Sequence, residues 1–254
     1  MKQLLTATLL LASLAACQKE TSTQQPSGEK ISLLETGTHQ QMRFNYNAAG
    51  LLSSAIITDD ELTNGDEVRY EVRYAANGKM SEVRKSNGQT IRPLYDEGML
   101  VKAELYEGSK LLSYTEYAYL NGHLKQAEVK IMDGTSPKSL MKIILSYDAL
   151  QQPIRSSLWF ANVQTGVLEP AGYVDIKYDD RKNPIRPLSD FMLLLLQLPG
   201  HHNVVQEKQY DAGGILKETR DVFYRYNNKQ MPAAAQLKTT IGTQVSTVDM
   251  RYHY

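Results

Sequence analysis

The residues of this chain that could bind a metal, transfer protons or attack a substrate are five histidines, two acidic clusters and one cysteine. His201 and His202 are adjacent after Pro199-Gly200. Neighbours on a strand point to opposite faces, so the pair could chelate only from a loop, and zinc would need further ligands. His39, His123 and His253 stand at no useful spacing from them, so the pair reads as a solvated loop and no metal site is assigned. Asp59-Asp60-Glu61 precedes Asn64-Gly65 and reads as a charged hairpin loop, since glycosidase chemistry needs two carboxylates facing each other across a sugar. Asp179-Asp180 sits beside Arg181-Lys182, as in a turn whose charges partly neutralise one another. No G-x-S-x-G elbow, phosphate-cradling glycine loop or EF-hand loop occurs, so no catalytic residue and no cofactor is assigned. A nucleophile and a base assembled from distant strands would leave no such trace. Among the aromatics, Trp159-Phe160 with Tyr173 on the following strand suits stacking on a glycan; the competing reading is that these rings are core.

The single cysteine, Cys17, has no partner for an intramolecular disulfide, and its surroundings give it another use. Lys2, an apolar run from Leu4 to Leu14 and small residues before Cys17 make an export signal, too short to span a bilayer. Leu14-Ala15-Ala16-Cys17 resembles the bacterial lipobox. That resemblance implies removal of residues 1–16 as a signal peptide and attachment of diacylglycerol and fatty acyl chains such as palmitate at Cys17; the alternative is ordinary secretion. Several acyl chains, at about 0.8 kcal/mol per buried CH₂, would hold the protein to a membrane without threading it through.

From Gln18 to Glu29 the chain has no aliphatic or aromatic residue and cannot offset its ordering entropy by burial, so residues 17–29 read as a flexible tether and 30–254 as one domain. Cys17-Gln18-Lys19-Glu20 is similar to the short tag that sends Bacteroidota lipoproteins to the cell surface. The expected location is therefore the cell envelope, as an outer-membrane lipoprotein on either the periplasmic or the exposed side. Lys plus Arg and Asp plus Glu are equal at 28 each, so no net field favours a nucleic-acid partner.

The elements that must position any site form a repeat. An alternating strand ends in tyrosine, a short Gly or Asn turn follows, and a second alternating strand begins with Leu, Met, Ile or Pro. Copies are centred on Tyr46, Tyr74, Tyr95, Tyr119, Tyr147, Tyr178, Tyr210 and Tyr226, and Val248 to Tyr254 reads as a closing strand. Asn-Gly at Asn64-Gly65, Asn77-Gly78, Asn87-Gly88 and Asn121-Gly122 accepts the positive φ of tight hairpin turns. Val68, Tyr70, Val72 and Tyr74 fall on one face and Arg69, Glu71 and Arg73 on the other, the half-buried antiparallel signature.

The units sum to about 14 to 17 strands, more than an open twisted sheet carries without curling, splitting or closing. The expected class is all-β, a long antiparallel meander making a curved sheet, barrel-like or folded over. Barrels of about 16 strands leave a channel unless plugged. Ser189 to Leu198 supplies a plug as a short apolar helix with Ser189 or Asp190 as N-cap; a fully buried strand is the alternative. A barrel embedded in the membrane is disfavoured by strands that look short and by Pro93, Pro137 and Pro153 within them.

The tyrosine-turn-leucine units resemble the YD repeats of Rhs-type proteins, with Tyr-Asp at Tyr95, Tyr147, Tyr178 and Tyr210. The stretch from Tyr178-Asp179-Asp180-Arg181-Lys182-Asn183-Pro184 through an apolar run to Asn203-Val204-Val205 and Tyr210-Asp211 is similar to a Bacteroidota family of uncharacterised envelope lipoproteins with a porin-like β fold. The resemblance implies a long antiparallel sheet in the envelope and carries over no catalytic residue. The leading expectation is a non-enzymatic binding or scaffold module contacting a glycan or another envelope protein; the alternative is a carrier of an apolar ligand inside the curved sheet.

Overall fold

The structure, a computed structural model, describes residues 30–37, 40–58, 66–149, 151–197 and 200–254. Residues 1–16, read above as a signal peptide, Cys17, residues 18–29, read as a tether, His39, Asp59-Asp60-Glu61, Asn64-Gly65 and the Leu198-Pro199 end of the apolar run lie outside them. Among the described residues sixteen strands follow one another: β1 Leu33–Thr36, β2 Gln40–Tyr46, β3 Leu52–Thr58, β4 Glu67–Tyr74, β5 Met80–Lys85, β6 Gln89–Asp96, β7 Met99–Glu107, β8 Lys110–Leu120, β9 His123–Asp133, β10 Ser136–Tyr147, β11 Pro153–Ala161, β12 Leu168–Lys182, β13 His202–Asp211, β14 Leu216–Tyr226, β15 Pro232–Ile241 and β16 Gln244–His253. Each pairs antiparallel with its neighbours in sequence, and β1 pairs with β16, Leu34 opposite Tyr252, so the curved sheet closes as a barrel rather than folding over.

Period-two patterning decides which side is wet. Along β4, Val68, Tyr70, Val72 and Tyr74 belong to the core while Glu67, Arg69, Glu71 and Arg73 are exposed. The hairpin corners are set by residues that tolerate a left-handed backbone: Asn121 and Gly122, at φ 53° and 80°, make the tight turn between β8 and β9.

All even-numbered strands finish at one rim, and the hairpins there share a device. The tyrosine pairs with the first or second residue of the next strand and the register then skips one residue. Tyr46 faces Leu52 while Asn45 faces Ser54; Tyr74 faces Met80 while Arg73 faces Glu82; Tyr119 faces Leu124 while Ala118 faces Gln126. Each skip is a β-bulge, which locally disrupts the ladder and sharpens the twist. Beside the bulge, the hydroxyl of the next tyrosine along the rim supplies a donor. Tyr119 donates to the carbonyl of Leu100 at 2.9 Å, Tyr147 to that of Leu124 at 2.5 Å and Tyr254 to that of Pro232 at 2.8 Å, while Tyr46 reaches Ile31 at 2.7 Å. This belt needs a buried ring with a polar tip, which gives a reason for sixteen tyrosines against four phenylalanines. Because Ile31 and Tyr254 both join it, the chain enters β1 and leaves β16 at this rim.

Tyr210 does not belong to the belt. It closes β13 at the opposite rim, and its ring stacks outside the barrel on Tyr173, 4.7 Å away. Tyr254, at the end of the closing strand, takes the eighth place.

The plug replaces the turn between β12 and β13 at the tyrosine rim. A 3-10 turn, Arg186–Leu188, leads into one helix, α1 Ser189–Leu194, whose Phe191, Met192 and Leu193 are buried in the core. Phe191 meets Tyr70 edge-on at 5.7 Å, and Tyr117 donates its hydroxyl to the Leu193 carbonyl at 2.9 Å. The helix is shorter than the apolar run, and neither expected residue caps it: Leu188 occupies the N-cap position, and Ser189 donates its hydroxyl back to the Arg186 carbonyl. Asp190 points instead towards Lys79, 3.9 Å away, and Tyr95; burial raises its carboxyl above the usual range.

Candidate functional site: a cavity beneath the plug

Two register shifts build the site. Between β12 and β13, Tyr178 pairs with Val204 but Lys177 with Gln206, so Val205 is skipped and Glu207 lies on the same inward face as Val204. Between β13 and β14, Tyr210 pairs with Leu216 but Gln209 with Glu218, which turns Glu218, Arg220, Val222 and Tyr224 inward. Glu207 then pairs with Arg220 directly across the ladder.

These side chains line a partly open cavity of about 300 Å³ between the plug and the arc of wall running from β13 through β16 and β1 to β3. Met42, Ile57, Met192, Val222, Leu237 and Met250 make it apolar, and Glu207 and Arg220 give it one charged pole. The Arg220 Nε donates to Glu218 Oε1 at 2.5 Å, whereas Arg220 Nη1 stands 3.9 Å from Glu207 Oε2. Glu207 Oε1 is buried without a hydrogen-bond partner, as is Gln209 Oε1. Burial pushes the Glu207 carboxyl up to about 8; Arg220 works against this and Glu218 adds to it. A buried carboxyl held largely neutral at pH 7 is a hydrogen-bond donor and acceptor on an apolar wall, and it ionises when a cation arrives.

The barrel is a cup. Its tyrosine rim carries the plug, with a second hollow of about 570 Å³ between α1 and the hairpins that carry Lys30, Tyr46, Tyr74 and Lys79. At the other rim Ile131 and Ile241, which continue the inward faces of β9 and β15, are 40% and 53% exposed, so that mouth meets solvent.

The aromatic group proposed for glycan stacking is divided by the barrel wall. Trp159 pairs with Lys142 on the outer face, whereas Phe160 pairs with Met141 and packs against the core, because consecutive strand residues face opposite ways. Tyr173 is also on the outer face, but its ring is stacked with Tyr210 and has the Arg155 guanidinium 4.1 Å from its centre. His202 Nδ1 lies 3.1 Å from the Arg181 carbonyl oxygen, and among the described residues no three His, Cys, Asp or Glu side chains gather as metal ligands. Asp180 pairs with Arg181 at 3.1 Å, so these charges do partly neutralise one another, but Asp179 to Lys182 are the end of strand β12 and not the expected turn. Asp179 instead ties three elements together, accepting from the Asn203 backbone at 3.1 Å and from the Tyr226 hydroxyl. Glu207, Glu218 and Arg220 were not singled out by sequence; the only signal for them is the break in alternation through Val204-Val205 and Leu216-Lys217.

The outer wall is ionic along its length. Arg84 meets Glu82 at 2.7 Å, Lys102 meets Glu104 at 2.8 Å, Lys130 meets Glu116 at 2.7 Å, Lys142 meets Glu128 at 3.3 Å and Arg155 meets Asp175 at 2.6 Å. Each Lys or Arg facing lipid at the bilayer midplane would cost about 2–4 kcal/mol, so this wall suits water rather than hydrocarbon. No helix among the described residues is long and apolar enough to cross a membrane.

No protein-family model matches the chain, and no curated protein matches it. Among solved structures it is similar to a porin-like protein from Bacteroides uniformis ATCC 8492, with TM-score 0.59 and 16% identity over 88% of this chain and 96% of that one. A porin-like protein from Bacteroides vulgatus ATCC 8482 matches with TM-score 0.59 and 12% identity, over 89% of this chain and 98% of that one. At these identities the likeness is one of fold.

Proposed function

We propose that this chain is a non-enzymatic envelope lipoprotein, held to the outer membrane through Cys17, whose barrel binds a small apolar molecule in the cavity beneath the plug. The observation that carries this reading is the cavity itself: partly open, apolar on most sides and polar at one place. Small-molecule sites have that composition and start at about 300 Å³. The envelope assignment leans on Leu14-Ala15-Ala16-Cys17, and the Bacteroides barrels with the same fold are consistent with it. The ionic outer wall speaks for a barrel standing in water on a lipid anchor, not for a pore through the bilayer, whatever the neighbours' description as porin-like suggests for them. Contact with a glycan or an envelope protein through the outer wall would rest on Trp159, since Phe160 points inward and Arg155 and Tyr210 lie against Tyr173.

The test is a titration of the full chain carrying Cys17→Ser with N-phenyl-1-naphthylamine, a neutral apolar dye that brightens on leaving water. Saturable binding is expected. Val222→Phe, which fills the cavity, should abolish it while leaving the β-sheet circular dichroism intact. A barrel that does not brighten the dye, or a filled variant that binds it as well as the parent, overturns the reading.

A further inference from the structure

The charged pole restricts what the cavity will accept. The described titratable side chains lining it are Glu207, Arg220, Tyr224 and Tyr252, with Glu218 behind Arg220. That is two carboxyls against one guanidinium, and the guanidinium is already committed: its Nε holds Glu218 at 2.5 Å. Glu207 is more than nine-tenths buried, and its Oε1 accepts no hydrogen bond. A buried acceptor left without a donor costs about 1–3 kcal/mol, which a donor carried in by a ligand would recover.

Resting on the binding reading above, we propose that the cavity is a site for small amphiphiles with a primary amine head, the alkyl chain lying among Met42, Ile57, Met192, Leu237 and Met250 and the ammonium on Glu207. A carboxylate head in the same place would meet two carboxyls and a guanidinium already engaged by one of them. A hydroxyl head would satisfy Glu207 Oε1 without a charge. The order of affinity is therefore amine, then alcohol, then acid. On binding, the Glu207 proton leaves to solvent and the ammonium replaces it, so the charge of the pole is unchanged.

The experiment is displacement of N-phenyl-1-naphthylamine from the full chain carrying Cys17→Ser by octylamine, octanol and octanoic acid at neutral pH. Octylamine is expected to displace at least ~10-fold more strongly than octanoic acid, which corresponds to about 1.4 kcal/mol. Glu207→Gln should weaken octylamine by a similar factor and leave octanol within ~2-fold, since the amide still hydrogen-bonds but no longer ionises. Glu207→Leu should weaken both, with each displacement constant referred to that variant's own dye affinity and an unchanged β-sheet circular dichroism showing that the barrel persists. Equal displacement by all three compounds, displacement led by octanoic acid, or an octylamine affinity indifferent to Glu207→Gln overturns the amine assignment while leaving the binding reading in place. Failure of the dye to bind the parent overturns the binding reading and, with it, this assignment.

Discussion

The Tyr119 hydroxyl donates to the Leu100 carbonyl at 2.9 Å, joining two successive hairpins beside a register skip on each. A phenylalanine at this position would keep the packing and lose only the donor, leaving the carbonyl of a residue that is 1% exposed without it. Net hydrogen bonds of this kind contribute about 0.5–1.5 kcal/mol. Tyr119→Phe and Tyr147→Phe should each lower urea-unfolding stability by about 1 kcal/mol with no change in the slope of the transition. No measurable loss in either variant would mean that the belt is a geometric regularity without energetic weight.

The plug is held by packing, by the approach of Asp190 to Lys79 and by a hydrogen bond from Tyr117 that can be removed separately. Phe191→Ala empties a fully buried ring site and should cost about 3–5 kcal/mol, whereas Tyr117→Phe deletes only the bond to the Leu193 carbonyl and should cost about 1 kcal/mol. Equilibrium unfolding of the two variants checks the ratio. A plug only loosely attached to the wall would make both losses small.

Glu207 ties stability to pH. Its carboxyl titrates near 4.5 when unfolded and at about 8 in the barrel, so the folded state keeps a proton that the unfolded chain has released. Its contribution is whole below pH 4.5 and declines as pH rises towards 8, by about 1.4 kcal/mol per pH unit within that window. Glu207→Gln has no proton to lose, so the fall in urea midpoint between pH 5 and pH 8 should be smaller than in the parent. Identical falls would show that the carboxyl is not held neutral.

Cys17→Ser should move the protein from the membrane fraction to the soluble fraction when the cell envelope is separated. The ion pairs along the outer wall disfavour retention in lipid by the barrel itself. Equal retention on membranes would sink the lipid-anchor reading.

Much of the architecture is legible in the sequence because it is local. Alternation, tyrosine and Asn-Gly corners specify each hairpin, as in Tyr119 to Leu124, and the helical plug follows from a short apolar run among polar strands. Closure is not local: β1 meets β16 through Leu34 and Tyr252, residues at opposite ends of the domain, and nothing in either strand marks the other as its partner. The charged pole of the cavity was hidden for a related reason. Strict alternation from Val204 would put Gln206 inside and Glu207 outside; one skipped residue at Val205 reverses this, and such a skip is decided by pairing across the ladder. The same period-two rule divides Trp159 from Phe160, so sequence adjacency argues against a shared platform on a strand. Tyr210 fits the repeat in sequence and differs in place, because hairpins alternate between the two rims.

The chain enters β1 and leaves β16 at the plugged end, where Lys30 hydrogen-bonds the Gly50 carbonyl and Tyr254 that of Pro232. Under the proposed lipid anchor the point of attachment is therefore at the stoppered rim, and the open mouth is the end farthest from it. Guests would be exchanged with the surrounding fluid rather than drawn directly out of the lipid leaflet. Lengthening the tether would change how far the cup reaches without moving the rim by which it is held.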